Sequence, residues 1–157
     1  MFKEKFLVVK ILFVCHGNIC RSPMAEFVMK DLVKKSGISA YIESAATSTE
    51  EIGNPVHRGT RQKLAEYGID VSGKYARQMT ESDYNKFDYI IGMDSMNIRN
   101  IMRIVGNDSE NKVSKLLGFA GDAGDIADPW YTGNFDETYE DVLKGCIGLL
   151  DTIKKLN

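Results

Sequence analysis

Apolar positions fill residues 6–14, FLVVKILFV, with one charge at Lys10. A short β-branched run without alternation predicts a strand buried on both faces, as in a parallel sheet. The period then changes. In 22–37, SPMAEFVMKDLVKKSG, the residues Met24, Phe27, Val28, Leu32 and Val33 recur at helical spacing. Ser22 is the expected N-cap, Pro23 suits the first turn and Gly37 the stop. YIESAAT (41–47) predicts a second strand, and NPVHRGTRQKLAEYG (54–68) a helical stretch closed by Gly68. KFDYIIGMD (86–94) predicts a third strand that leaves Asp94 at its end, where it caps the helix 95–106. KVSKLLGF (112–119) predicts a fourth strand, residues 122–137 a loop rich in Gly, Asp and aromatics, and 135–156 a closing amphipathic helix.

Strands alternating with helices predict an α/β fold, a parallel sheet with right-handed crossovers. Ligands in such folds bind beyond the carboxyl ends of the strands. The 157 residues suit one domain, 1–157, with 1–8 as a short lead-in and no internal boundary. The N-terminal apolar run is broken by Lys10 and too short to span a bilayer, so a cytoplasmic location is expected by default.

Charge and cysteine count narrow the chemistry. A net charge of -2 provides no basic field for nucleic acid or an anionic membrane, so neither is an expected partner. An anionic ligand must be captured by a local device. Three cysteines and two histidines, His16 and His57, do not make the paired spacing of a structural zinc site. No metal and no cofactor are expected.

The local device lies in VCHGNICRSPMAE, residues 14–26. Two cysteines five positions apart leave open a metal half-site, a disulfide or a nucleophile beside an anion cradle. The loop Cys15, His16, Gly17, Asn18, Ile19, Cys20, Arg21 and Ser22 joins a strand end to a helix N-terminus. Backbone N–H groups converge on an anion in such a turn. Gly17 and Asn18 are residue types that accept positive φ. Arg21 adds a planar fork for two phosphate oxygens. A strand-end thiol facing these dipoles is favoured as thiolate, placing Cys15 for attack on phosphorus. Ser22 can hydrogen-bond that sulfur as it leaves. A leaving alkoxide or phenolate needs a proton, and Asp128 in DPW is the expected donor, later the base for water. Trp130 and Tyr131 beside it are expected to wall an aryl group.

FVCHGNICRSPMAE is similar to the signature of the low-molecular-weight protein tyrosine phosphatases. The resemblance continues through SAATS, EIGNPVHRG, ARQMTESD, FDYIIGMD and ADPWY, from about residue 9 to the end. It implies a single domain with four parallel strands ordered 2-1-3-4 and helices on both faces. It implies metal-independent hydrolysis of phosphotyrosine, with Cys15, Arg21 and Asp128 as catalytic residues; the expected partners are phosphotyrosine-containing proteins or small aryl phosphates, and the expected state a monomer. Asn18, Ser22 and Ser44 are then loop-shaping residues, and Cys20 is a reversible oxidation partner of Cys15.

Two departures stand out. Many relatives carry a rim aromatic where this chain has Thr49-Glu50, so Glu50 joins Trp130 and Tyr131 at the substrate rim. Many also carry His before the ARQ run. Here Lys74 is the nearest basic residue, and it is expected to pair with Glu26 or Glu43. His16 is expected in a polar network, His57 on the surface, and Cys146 in a core. Rival readings are an arsenate reductase on the same scaffold and a non-catalytic phosphate or phosphopeptide binder. The first needs relay cysteines, and none lies between Cys20 and Cys146. The second has no need of both Cys15 and Asp128.

Overall fold

The protein is described by a computed structural model covering residues 8–156. The lead-in thus falls almost wholly outside the described residues, as do Phe6 and Leu7 of the expected first strand. Four strands, β1 (Val9–Cys15), β2 (Ala40–Ala46), β3 (Tyr89–Gly92) and β4 (Val113–Lys115), form one sheet ordered β2-β1-β3-β4. Every pairing is parallel.

The buried run of β1 explains the layers. Ile11, Phe13 and Cys15 point into one core with α1 (Arg21–Lys35), α2 (Arg58–Ala65) and α6 (Phe135–Leu156). Leu12 and Val14 point into a second core with Tyr84 of α3 (Asp83–Lys86) and Ile101 of α4 (Ser95–Val105). Alternate side chains leave a strand on opposite faces, so a continuous apolar run needs helices on both. Lys10 stays exposed.

Two expected boundaries move for physical reasons. The run 112–119 is strand only through Lys115, and Leu116–Ala120 winds into a 3-10 turn. Leu116 and Leu117 are buried in the core that α6 shares. Gly145 and Gly148 of α6 admit that turn: a Cβ at Gly148 would lie 2.3 Å from the Phe119 carbonyl oxygen. The helical stretch 54–68 shortens to α2, beginning at Arg58 after a His57 cap. The α3 turn was not anticipated, and the expected loop 122–137 contains a one-turn helix α5 (Pro129–Thr132). α6 matches its expected span, 135–156.

Among the described residues, no helix is long and apolar enough to cross a membrane.

Candidate active site

β1 ends at Cys15 and α1 begins at Arg21, so the intervening loop lies at the carboxyl edge of the sheet. Its tight curve turns on Asn18, with φ of 58°. Gly17, also expected there, does not adopt positive φ; it leaves room for Glu51, whose Cγ would lie 3.2 Å from a Cβ at residue 17. Asn18 is held by its whole amide. Its Nδ2 donates to Ser22 Oγ at 2.8 Å and Ser44 Oγ at 2.9 Å, and its Oδ1 accepts from the Arg77 backbone N–H at 3.2 Å. Asn tolerates the left-handed region better than other side chains, and these bonds select it.

The same bonds place a hydroxyl against the thiol. Ser22 Oγ accepts from Asn18 and lies 3.0 Å from Cys15 Sγ, where it can donate to the sulfur whenever the sulfur carries charge. The Ser22 backbone N–H adds a second donor at 3.4 Å. Contrary to the expectation from sequence, Ser22 does not cap α1. The cap is Cys20, without a side-chain bond, and the Ser22 hydroxyl serves the sulfur instead. Beneath, Ser44 Oγ donates to Glu26 Oε1 at 2.6 Å. Lys74 closes the network. Its Nζ donates to the Ser44 carbonyl at 2.8 Å and pairs with Glu26 at 3.2 Å. Glu43, the alternative partner, is taken by Arg77 and Lys86. Burial lowers the Lys74 pKa, against the raising effect of Glu26.

Arg21 is buried and tied from one side. Its Nη1 donates to Asp94 Oδ2 at 2.7 Å and to the Ile126 carbonyl at 2.9 Å, and its Nη2 faces Asp128 Oδ2 at 3.4 Å. Burial works against its charge, but Cys15, Asp94 and Asp128 outweigh burial and raise its pKa. Asp94 has a double role: its Oδ1 accepts from the Asn97 N–H at 2.7 Å, capping α4 as expected, while Oδ2 holds Arg21. Asp128 caps α5 through the Trp130 N–H at 3.0 Å, which orients its other oxygen toward Arg21.

Cys15, His16, Gly17, Ile19, Cys20, Arg21, Glu50, Glu51, Asp128, Trp130 and Tyr131 line one cleft. Cys15, Arg21 and Asp128, read from distant stretches of sequence, thus meet in one place. Asn18, Ser22 and Ser44 do not line it; they are buried and joined to one another by the Asn18 amide. Trp130 and Tyr131 stand at the mouth, exposed by 58% and 83%. Glu50 lies at the mouth too, its Oε2 3.0 Å from His16 Nε2. His16 is therefore in a polar pair, at the rim and not beneath the loop. Cys20 is buried; burial first, then the negative Cys15 and Asp128, push its thiol up to about 12. Cys146 is fully buried on α6, and burial raises its pKa. Among the described residues no three His, Cys, Asp or Glu side chains gather as a cation site.

Sequence reasoning missed Arg77, Glu51, the second role of Asp94, and His57. Arg77 braces Asn18 through its backbone and binds Asp83 through two nitrogens, each at 3.1 Å. Asn18 and Arg77 lie far apart in the chain, so no local pattern announces the contact. Only Asp94, at the carboxyl end of a predicted strand, carried a usable signal. His57, expected at the surface, is half-buried between Phe135 and Trp130 because its ring caps α2 and stacks.

The description "Low molecular weight phosphotyrosine protein phosphatase" belongs to a family model that matches residues 10–157. Over 152 residues the chain is 43% identical to the low molecular weight protein-tyrosine-phosphatase YfkJ of Bacillus subtilis (strain 168), covering 94% of this chain and 97% of that protein. The crystal structure of YfkJ superposes with a TM-score of 0.92 at 41% identity, covering 96% of this chain and 98% of the other. The crystal structure of SP-PTP, a low molecular weight protein tyrosine phosphatase from Streptococcus pyogenes, gives 0.82 at 46% identity, covering 92% and 93%. A likeness that runs the length of the chain, not the cradle alone, means that this protein belongs to the low molecular weight phosphotyrosine protein phosphatase family.

Proposed function

We propose that the protein hydrolyses aryl phosphate monoesters, phosphotyrosine in proteins above all, through a cysteinyl-phosphate on Cys15 and without a metal. One observation carries the reading. The Cys15 sulfur accepts from the Ser22 backbone N–H and lies 3.0 Å from the Ser22 hydroxyl, in a cleft that also holds Arg21 and Asp128. Those bonds favour charge on sulfur, both in the attacking thiolate and when it leaves.

In the first step the sulfur lone pair forms the S–P bond as the P–O(aryl) bond breaks. The departing oxygen takes the Asp128 proton. Arg21 and the loop N–H groups hold the equatorial oxygens, whose charge they stabilise in the transition state. In the second step water attacks phosphorus and gives its proton to the Asp128 carboxylate. The S–P bond breaks, inorganic phosphate departs, and the thiolate returns to its hydrogen bond with Ser22.

Trp130 and Tyr131 form the aryl wall in this reading, and Glu50 a charged part of the rim. Cys20 serves as oxidative partner: peroxide converts the Cys15 thiolate to a sulfenic acid, the Cys20 sulfur displaces water, and a thiol reductant restores both. An arsenate reductase relay is disfavoured by Cys146, sealed in a core with a raised pKa.

The test is turnover of para-nitrophenyl phosphate in excess chelator. Activity is expected, and Cys15→Ser should abolish it while phosphate still binds. Asp128→Ala should slow esters with poor leaving groups more than those with good ones. Binding without turnover would favour a phosphate-binding module instead. Slower recovery of Cys20→Ser than wild type after peroxide is expected; equal recovery would remove Cys20 from the redox reading.

A further inference from the structure

His57 touches three parts of the site at once. Its backbone N–H donates to the Ile19 carbonyl in the phosphate loop at 2.8 Å. Its ring Nδ1 accepts from the Gly59 N–H at 2.9 Å, capping α2. One face of the ring lies on Phe135, with centroids 5.4 Å apart and planes at 17°. Trp130 meets the ring edge to face, at 5.6 Å and 77°. Both separations fall where aromatic rings attract. Residue 59 makes room for this stack, since a Cβ on Gly59 would lie 2.3 Å from Phe135 Cζ.

Trp130 is more than half exposed, so burial alone does not fix its ring. A side chain free to rotate loses entropy whenever a ligand settles against it. A ring clamped beforehand avoids that loss. Because His57 is also bonded to Ile19, the clamp sets the wall relative to the phosphate cradle.

We propose that His57 is a positioning residue: its ring holds the Trp130 indole as the aryl-facing wall of the cleft and ties that wall to the phosphate loop. The assignment rests on the reading of the cleft as an aryl phosphate site.

Two substitutions separate the cap from the ring. His57→Asn keeps a side-chain acceptor suited to an N-cap and removes the ring. His57→Phe keeps a ring and removes the acceptor. Trp130 is the only tryptophan in the chain, so its fluorescence reads the contact without turnover. In His57→Asn the emission should shift to the red and its anisotropy fall; in His57→Phe the anisotropy should stay at the wild-type value. The KM for para-nitrophenyl phosphate should rise about two- to tenfold in His57→Asn. The inhibition constant of inorganic phosphate, which does not reach the wall, should hold. His57→Phe should keep the wild-type KM and melt several degrees lower. Unchanged Trp130 anisotropy in His57→Asn overturns the proposal. So does an equal loss of phosphate and aryl phosphate binding, which would mean that the phosphate loop itself had moved. A wild type without turnover would defeat the aryl phosphatase reading, while the fluorescence would still decide the role of His57.

Discussion

Single residues here act through the number of bonds they satisfy together. Asn18 makes three, at a backbone angle few residues accept. Asn18→Ala leaves the Arg77 N–H and two serines short of a partner, and should destabilise the fold by about 2–4 kcal/mol. It should also lower kcat on para-nitrophenyl phosphate about tenfold or more, since the Ser22 hydroxyl is no longer held against the sulfur. Wild-type kcat in the folded variant would separate the network from catalysis. The cysteines should also differ in reactivity. With its thiol held up at about 12, Cys20 stays protonated at neutral pH. Iodoacetate should therefore leave a single adduct, on Cys15, visible by peptide mass spectrometry; adducts on Cys20 at the same rate would contradict this. Cys15, Arg21 and Asp128 were legible from sequence because the type and spacing of each carry chemistry. Arg77 and His57 were not, because backbone N–H donation and ring stacking leave no residue-type signature.

Elements place these residues, and their ends decide what they place. β1 was readable because burial on both faces removes alternation from its sequence. The end of β4 was not, because Leu116 and Leu117 look the same in a strand or a buried turn until the glycines of α6 are known to face them. Gly148→Ala tests that packing. Its Cβ meets backbone, which yields little, so a loss of about 1–3 kcal/mol is expected in thermal or urea unfolding, with kcat/KM of the folded protein unchanged. Asp125 ties the segment before the acid loop to α4 and β4, through Ser95 and Lys115. Burial pushes its pKa up, but the Lys115 and Ser95 bonds outweigh burial and lower it below the usual 3.8. The folded state then binds fewer protons than the unfolded chain below that value. Its stabilising contribution is full above about pH 4 and is lost as the pH falls through the depressed pKa. Asp125→Asn should flatten that part of the acid stability profile; an unchanged acid slope would show that the tie contributes nothing.

At the scale of the molecule, the sheet order 2-1-3-4 puts β1 at the centre and its carboxyl end beside those of β2 and β3. Cys15 closes β1, Ser44 lies near the end of β2, and Asp94 follows β3. Three strand ends thus deliver the nucleophile, the brace of the loop and the anchor of Arg21. The alternation of strands and helices made this architecture legible, and the order of strands came with the family resemblance. The charge of the mouth was only half legible. Glu50 was visible as a departure, whereas Glu51 lines the cleft packed closely against Gly17, a contact no local pattern announces. With two carboxylates at the rim and Arg21 buried at the floor, peptides with basic residues beside phosphotyrosine should be preferred. Glu50→Gln with Glu51→Gln should shift kcat/KM toward acidic-flanked peptides by about two- to fivefold at low salt, and less at high salt. No shift would mean that the rim charge does not reach the peptide.

Phosphate is expected to pass through the Cys15 sulfur. Acid quenching during turnover of para-nitrophenyl phosphate, followed by peptide mass spectrometry, reads this directly. A phosphoryl group is expected on Cys15 in the wild type, and neither phosphoenzyme nor turnover in Cys15→Ser. Turnover that survives Cys15→Ser, or a phosphoryl group on another residue, would contradict it.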